Sequence, residues 1–469
     1  MRLPTMALIA ASMMTAGATL ADDGAVRFRD QVAPILVGKC LACHGPKKAL
    51  GRFRVDTYAR LMGESDAGRA IEPGKPDESL CLELIEQGEP TGRMPKDAEP
   101  LPAADVATLR RWIEQGARFD GPDPAAEITA LVPRAARPAA PEAYSIAVPI
   151  MALAFRPDGR ELAVGGYREV TIWEPGTGRL LRRIPGLAQR TQGLAYSPDG
   201  ATLAVAGGVP GESGELAVVD PAGGKPPRVI ASASDLILGV AFSPDGSLVA
   251  SAGADRTLGV FEVASGRELC RVKQFADWVT GVAFDREGVT VAGSSADKLV
   301  KVFDARTGKL RATYIGHQAP VLAVAFDPDS PRAVTAGADR KVHVWDPAVI
   351  AAEDGTAAQQ EERFKKDISA RTIDGFDDDV LKVVVARGLA YCASADGKVR
   401  VVDLATSKLA KTLDGHEDWI YALAVDPASG RLASGGFDGS VRVRDVESGR
   451  LTARFVAAPG LARADEPRP

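Results

Sequence analysis

The chain has 469 residues, more than one ordinary hydrophobic core accommodates, so two or more domains are expected. Its composition, 45% hydrophobic and 25% charged with a formal net charge of −5, is that of a soluble globular protein and gives no electrostatic reason to expect nucleic acid as a partner. The 48 glycines and 32 prolines imply many tight turns between short segments.

The N-terminus reads as a secretory signal peptide over residues 1–21. Arg2 supplies the positive charge, the stretch from Met6 to Leu20 is apolar and small, and Thr19-Leu20-Ala21 ahead of Asp22-Asp23 suits a signal peptidase, with Ala16-Gly17-Ala18 as a second choice. The apolar run is short for a membrane span, and no later stretch is long enough. The expected location is periplasmic or otherwise exported.

Residues 25–120 carry helical punctuation. "VRFRDQVAPILVGKC" places Phe28, Val32, Ile35 and Leu36 on one helical face, and "ADVATLRRWIEQGARF" spaces Val106, Leu109, Trp112 and Ile113 likewise before Gly116. Between them stands Cys40-x-x-Cys43-His44. Two thiols on one helical turn can each add to a vinyl group of haem, and the next residue places an imidazole within reach of the iron. A zinc half-site or redox pair would need further ligands, yet there is no second Cys-x-x-Cys and no other histidine before His317. One covalently attached haem c is therefore expected on Cys40, Cys43 and His44. The remaining cysteines, Cys81, Cys270 and Cys392, are odd in number and far apart, which argues against a disulfide framework and for buried apolar residues. Met94, in the loop "GRMPKDAEPLP", is the candidate for the second axial ligand of the iron. Met62 is its competitor, and an open or lysine-ligated iron is the remaining alternative.

Further residues carry a closer likeness. Cys40-x-x-Cys43-His44-Gly45-Pro46, Gly51, Arg54 and Asp56, Pro73-Gly74-Lys75-Pro76, Ser79-Leu80, Met94-Pro95, Leu109, Trp112-Ile113 and Gly116-Ala117 together resemble the planctomycete-type cytochrome c domain over residues 26–119. The resemblance implies a small all-α, class I-like fold, haem attachment and electron transfer. Lys96 stands where the family often has a second proline, and Cys81 where an aliphatic residue is usual. By analogy and by its charge, Arg54 is a candidate partner for a haem propionate, with a plain surface arginine as the equal alternative.

Residues 121–144, rich in proline and alanine, read as an extended linker. The rest repeats. Trp173-Glu174, Val219-Asp220, Phe261-Glu262, Phe303-Asp304, Trp345-Asp346, Val402-Asp403 and Arg444-Asp445 close successive β-type runs at steps of 46, 42, 42, 42, 57 and 42 residues. Asp255, Asp297, Asp339, Asp396 and Asp438 keep the same register. Four strand-like runs per period of about 42 mark a propeller blade. With Gly316-His317, Gly415-His416 and Trp345-Asp346, the region resembles WD-repeat propellers, which implies an all-β, seven-bladed ring over residues 145–456, followed by a disordered tail at 457–469. His317, Thr335, Asp339 and Trp345 are expected to form a hydrogen-bonded network within one blade. His343 reads as a packed or surface residue. The insertion at 347–370 is an exposed excursion or a docking element, and the acidic "IDGFDDDV" lacks the ligand spacing of a calcium loop.

Three functions compete on these grounds. The first is a single-electron carrier whose propeller docks a redox partner protein, with no catalytic residues and no enzyme activity. The second is a propeller oxidoreductase fed by the haem. The third is a haem-based redox or gas sensor, which would favour an open iron.

Overall fold

The computed structural model describes residues 25–45, 49–88, 92–96, 99–121, 123–132, 138–350, 362 and 370–461. Residues 1–21, expected to form a signal peptide, most of the 347–370 insertion and residues 462–469 lie outside them. The chain divides into two compact units, residues 1–136 and 137–469.

The first unit is helical. A π-turn over Phe28–Val32 runs into α1 (Ala33–Lys39), and the change of pitch falls beside Pro34, which has no N–H to donate to a preceding carbonyl. Short helices α2 (Tyr58–Leu61) and α3 (Leu80–Glu86) follow, then the longest, α4 (Ala103–Glu114). The expected faces are the buried ones: Phe28, Val32, Ile35 and Leu36 meet Leu109, Trp112 and Ile113 in one core. Phe28 lies 5.5 Å from the Trp112 ring and 5.3 Å, edge-on, from Tyr58. Trp112 is a core residue whose Nε1–H donates to the Arg118 carbonyl at 2.9 Å.

The linker reading needs correction at both ends. Residues 123–132 belong to the first unit. The Ile128 N–H donates to the Asp56 carbonyl at 2.7 Å, the Ala59 N–H to the Pro124 carbonyl at 2.8 Å, and Thr57 pairs with Glu127. Helix α5 (Ile128–Leu131) then buries Ile128 and Leu131 in the same core. Apolar residues at i, i+3 and i+4 (Ile128, Leu131, Val132) carried a helical signal that the surrounding proline and alanine obscured. At the other end, Tyr144 packs on the second unit. Its N–H donates to the Pro459 carbonyl at 2.9 Å, and its hydroxyl to the fully buried Glu169 at 2.7 Å. The same contacts correct the start of the tail, because Ala457 and Ala458 are buried and residues up to Leu461 lie within the described structure.

The second unit is a closed ring of seven four-stranded antiparallel blades. Blades 3 to 7 are separate sheets, whereas blades 1 and 2 share one strand, Arg179–Tyr196, which is outermost in blade 1 and innermost in blade 2. The ring closes where blade 1 meets blade 7. There Ile150, Phe155 and Trp173 pack against Ala422, Val443 and Phe455, with the Trp173 and Phe455 rings stacked at 4.8 Å. Blade 7 supplies all four of its own strands, and Tyr144–Val148 adds none. The innermost strands surround a central cavity of about 480 Å³. Gly239 and Gly281 let adjacent inner strands approach closely, since a Cβ on Gly239 would sit 3.3 Å from the Gly281 Cα.

Candidate haem site

The haem-type motif grows out of the end of α1. The Cys40 N–H closes the helix on the Leu36 carbonyl, and the N–H groups of Cys43 and His44 donate to the Cys40 carbonyl at 3.2 and 3.0 Å. This single turn brings both thiols and the imidazole to one locality, as the spacing requires. Cys40 leans into the core and burial pushes its thiol up to about 11, while Cys43 is exposed. None of the five cysteines is in a disulfide.

His44 is oriented rather than free to rotate. Its Nδ1 lies 3.3 Å from the Phe53 carbonyl, and the Phe53 ring stands edge-on at 5.2 Å. The Val55 N–H donates to the His44 carbonyl at 2.8 Å, fixing the backbone beneath it. Among the described residues no hydrogen-bond partner reaches Nε2. A hydrogen bond at one imidazole nitrogen that leaves the other available is how proteins aim a histidine at a metal. The donor set and its apolar surroundings fit a haem whose iron is taken by His44.

Met94 follows α3, half-buried, with its N–H on the Leu84 carbonyl at 2.8 Å. Met62, at the end of α2, packs against the hydrophobic core. Arg54 is engaged within the unit itself. Its guanidinium grips the buried Asp56 through two bonds of 2.8 and 2.7 Å, and Arg60 adds a third at 3.0 Å. Burial would raise the Asp56 pKa, but the Arg54 hydrogen bonds and the nearby cations outweigh it and hold the carboxyl below its ordinary range. Cys81 shares the core with Cys40, and burial pushes its thiol up to about 12.

In the propeller, the expected blade 5 network forms in part. His317 bonds Asp339 through Nδ1 and Thr335 through Nε2, each at 2.9 Å. Trp345 does not join it: among the described residues its Nε1 has no hydrogen-bond partner, and its ring stacks on Tyr314 at 4.4 Å. His343, which the sequence left undecided, is packed inside, stacked on His317 at 4.0 Å with Nδ1 2.7 Å from the Tyr314 hydroxyl. Asp377, in the acidic loop, is engaged by Arg400 and Lys398. Large apolar side chains remain exposed, among them Ile146, Trp278, Trp419 and Phe437. Ile146 and Phe437 border a groove of about 530 Å³ together with Tyr167 and Tyr421. The sequence reading did not single out this face; tryptophans repeated just ahead of the innermost strands, in "ADWV" and "EDWI", were the available signal.

Both halves of the molecule match known families. Residues 40–98 match the model of Planctomycete cytochrome C. Residues 224–262, 268–304, 308–346 and 407–445 match the WD domain, G-beta repeat. Among characterised proteins, the nuclear distribution protein PAC1 of Coccidioides posadasii (strain C735) is 35% identical over 68 residues, which is 14% of each chain. The chain thus spans about one seventh of that relative's length. The chain combines a cytochrome c-type haem-binding region with a propeller. More particularly, it joins a planctomycete-type cytochrome c domain to WD repeats. Among the described residues no helix is long and apolar enough to cross a membrane.

Proposed function

We propose that the chain is an exported mono-haem c-type cytochrome that carries one electron at a time, and that its propeller holds a protein partner of that exchange. The observation that carries the reading is the orientation of His44, with Nδ1 at the Phe53 carbonyl and Nε2 left for iron, in the same turn as Cys40 and Cys43. Haem bound there supplies a one-electron Fe(III)/Fe(II) couple. Met94 is the second axial ligand: Met62 is packed in the core, whereas Met94 sits on a loop outside that cluster. Two protein ligands would close the iron to substrates, which supports a carrier rather than an enzyme. Export is supported by the signal-like N-terminus. Docking is supported by the exposed aromatic side chains of the propeller.

The test is a pair of optical spectra, oxidised and reduced, of protein matured in a periplasm, beside Met94→Ala, with haem quantified per chain. One haem, low-spin, with a methionine-to-ferric band lost in the variant, is the expected result. A high-spin wild type that binds carbon monoxide readily would overturn the Met94 assignment and the carrier reading with it.

A further inference from the structure

Blades 6 and 7 each bury an arginine at the same place in the third strand, and only one of the two is neutralised. In blade 6, Arg400 pairs in register with Cys392 and Thr412 and is 4% exposed. It bonds Asp396 at 2.5 Å and Asp377 at 2.7 Å. In blade 7, Arg442 pairs with Ser434 and Arg454 and is 7% exposed. Among the described residues it has no hydrogen bond and no ion pair, and its Nε is fully buried without a partner.

The difference has a chemical cause. Two residues after Asp396, Lys398 donates only its backbone N–H to one Asp396 oxygen, leaving the other for Arg400. Asp438 is followed by Ser440, whose N–H and hydroxyl donate to the two Asp438 oxygens at 2.9 and 2.8 Å. Asp438 also lies 4.0 Å from the buried His416 Nδ1, which among the described residues has no hydrogen-bond partner. Two cationic side chains facing each other across neighbouring strands repel, and a buried guanidinium with nothing to bind is costly. Burial and the charge of Arg454 both lower the pKa of Arg442, in keeping with that account. Gly415 keeps the place open: a Cβ there would fall 2.5 Å from Arg442 Nη1 and 2.7 Å from Arg444 Nη2. Arg444 itself is held by the Gly449 and Asp414 carbonyls.

We infer that Arg442 and the exposed Arg454 form a site for one carboxylate, brought by an acidic side chain of a protein docked on blade 7. A planar carboxylate matches the guanidinium fork. The nearby carboxylates of Asp438 and Glu417 favour a singly charged ligand over a doubly charged phosphate. A protein-borne carboxylate fits because the same blade presents exposed apolar side chains. Trp419 lies two residues from Glu417, and the Phe437 N–H donates to the Trp419 carbonyl at 2.9 Å. This rests on the docking reading of the propeller and names the partner's chemistry.

The probes are acetate and a short capped peptide with one glutamate between leucines, titrated into the full haem-loaded chain while the Arg442 Nε–H resonance is followed. Saturable shifts with both probes are expected, with chloride at equal ionic strength inert. The peptide should bind more tightly than acetate, and Trp419→Ala should remove that advantage. Arg454→Gln, at an exposed position, should weaken both about tenfold. A glutamine peptide as effective as the glutamate one, or phosphate tighter than acetate, would overturn the carboxylate assignment. Binding that appears only in Glu417→Gln would show that Glu417 already neutralises Arg442, and would overturn it too. Because acetate reports the anion alone, its failure would leave the aromatic face and the docking reading intact.

Discussion

The two units are specified in opposite ways. In the first, function is local and the fold is singular. One turn holds the whole Cys40, Cys43 and His44 set, and each core side chain, from Phe28 to Leu131, occurs once. In the propeller the fold is written seven times over and the chemistry lies where the copies differ. Blade 5 uses His317, Asp339 and Thr335 as a closed network, and blade 7 carries His416, Asp438 and Ser434 at the same places with three arginines nearby. A motif announces what it binds; a repeat announces its shape, and its function has to be sought in the departures from it.

The largest test of this contrast is Trp112→Ala. Trp112 is 1% exposed and holds Phe28 and α4 together, so truncation should cost the first unit about 3 to 5 kcal/mol. The propeller has its own core, and its unfolding should stay in place. Calorimetry should then show one transition moved far down and the other unmoved; a joint shift of both would mean that the units fold as one. Next in size is Ile128→Ala, fully buried in α5, at about 2 to 4 kcal/mol. That loss should fall on the transition that Trp112→Ala moves. If Ile128→Ala leaves that transition alone, residues 123–132 are a tether after all.

Much of the fold was legible because it rests on periodicity. The 42-residue steps gave the blades, and apolar spacing gave the faces of α1 and α4. Legibility failed where a short signal was outweighed by its neighbours. The three apolar residues of α5 sit among prolines and alanines, and Tyr144 reads as linker until Glu169 and the Pro459 carbonyl are found beside it. At the haem site the motif residues were legible from spacing alone. The carbonyl of Phe53, which aims His44, was not, since backbone groups leave no mark in a sequence. The Asp56 partner of Arg54 was not legible either, because charge alone does not reveal a buried carboxylate two residues away. Unpartnered groups such as Arg442 could not be read at all, because only a structure shows what a side chain lacks.

A pH series separates the propeller's histidines from its carboxylates. Burial lowers the His343 pKa from 6.5 to about 3, with the neighbouring charge of His317 adding to it. Burial likewise lowers His416 from 6.5 to about 4, helped by Arg442. Between those values and 6.5 the unfolded chain holds protons that the folded one refuses. The stability they contribute is therefore complete above pH 6.5 and is lost as pH falls toward 4, at up to about 1.4 kcal/mol per pH unit for each group. Glu262 and Asp304 are held down to about 2, so their contribution is lost only below the ordinary carboxylate range, at lower pH than the histidine window. Denaturant titration of the propeller at pH 7, 6 and 5 should show falling stability, and His343→Phe should flatten the slope by about half. A wild-type stability that is level from pH 7 to 5 would mean that both imidazoles take up protons in the folded ring, and that blade 5's network is open to water where its packing says it is closed.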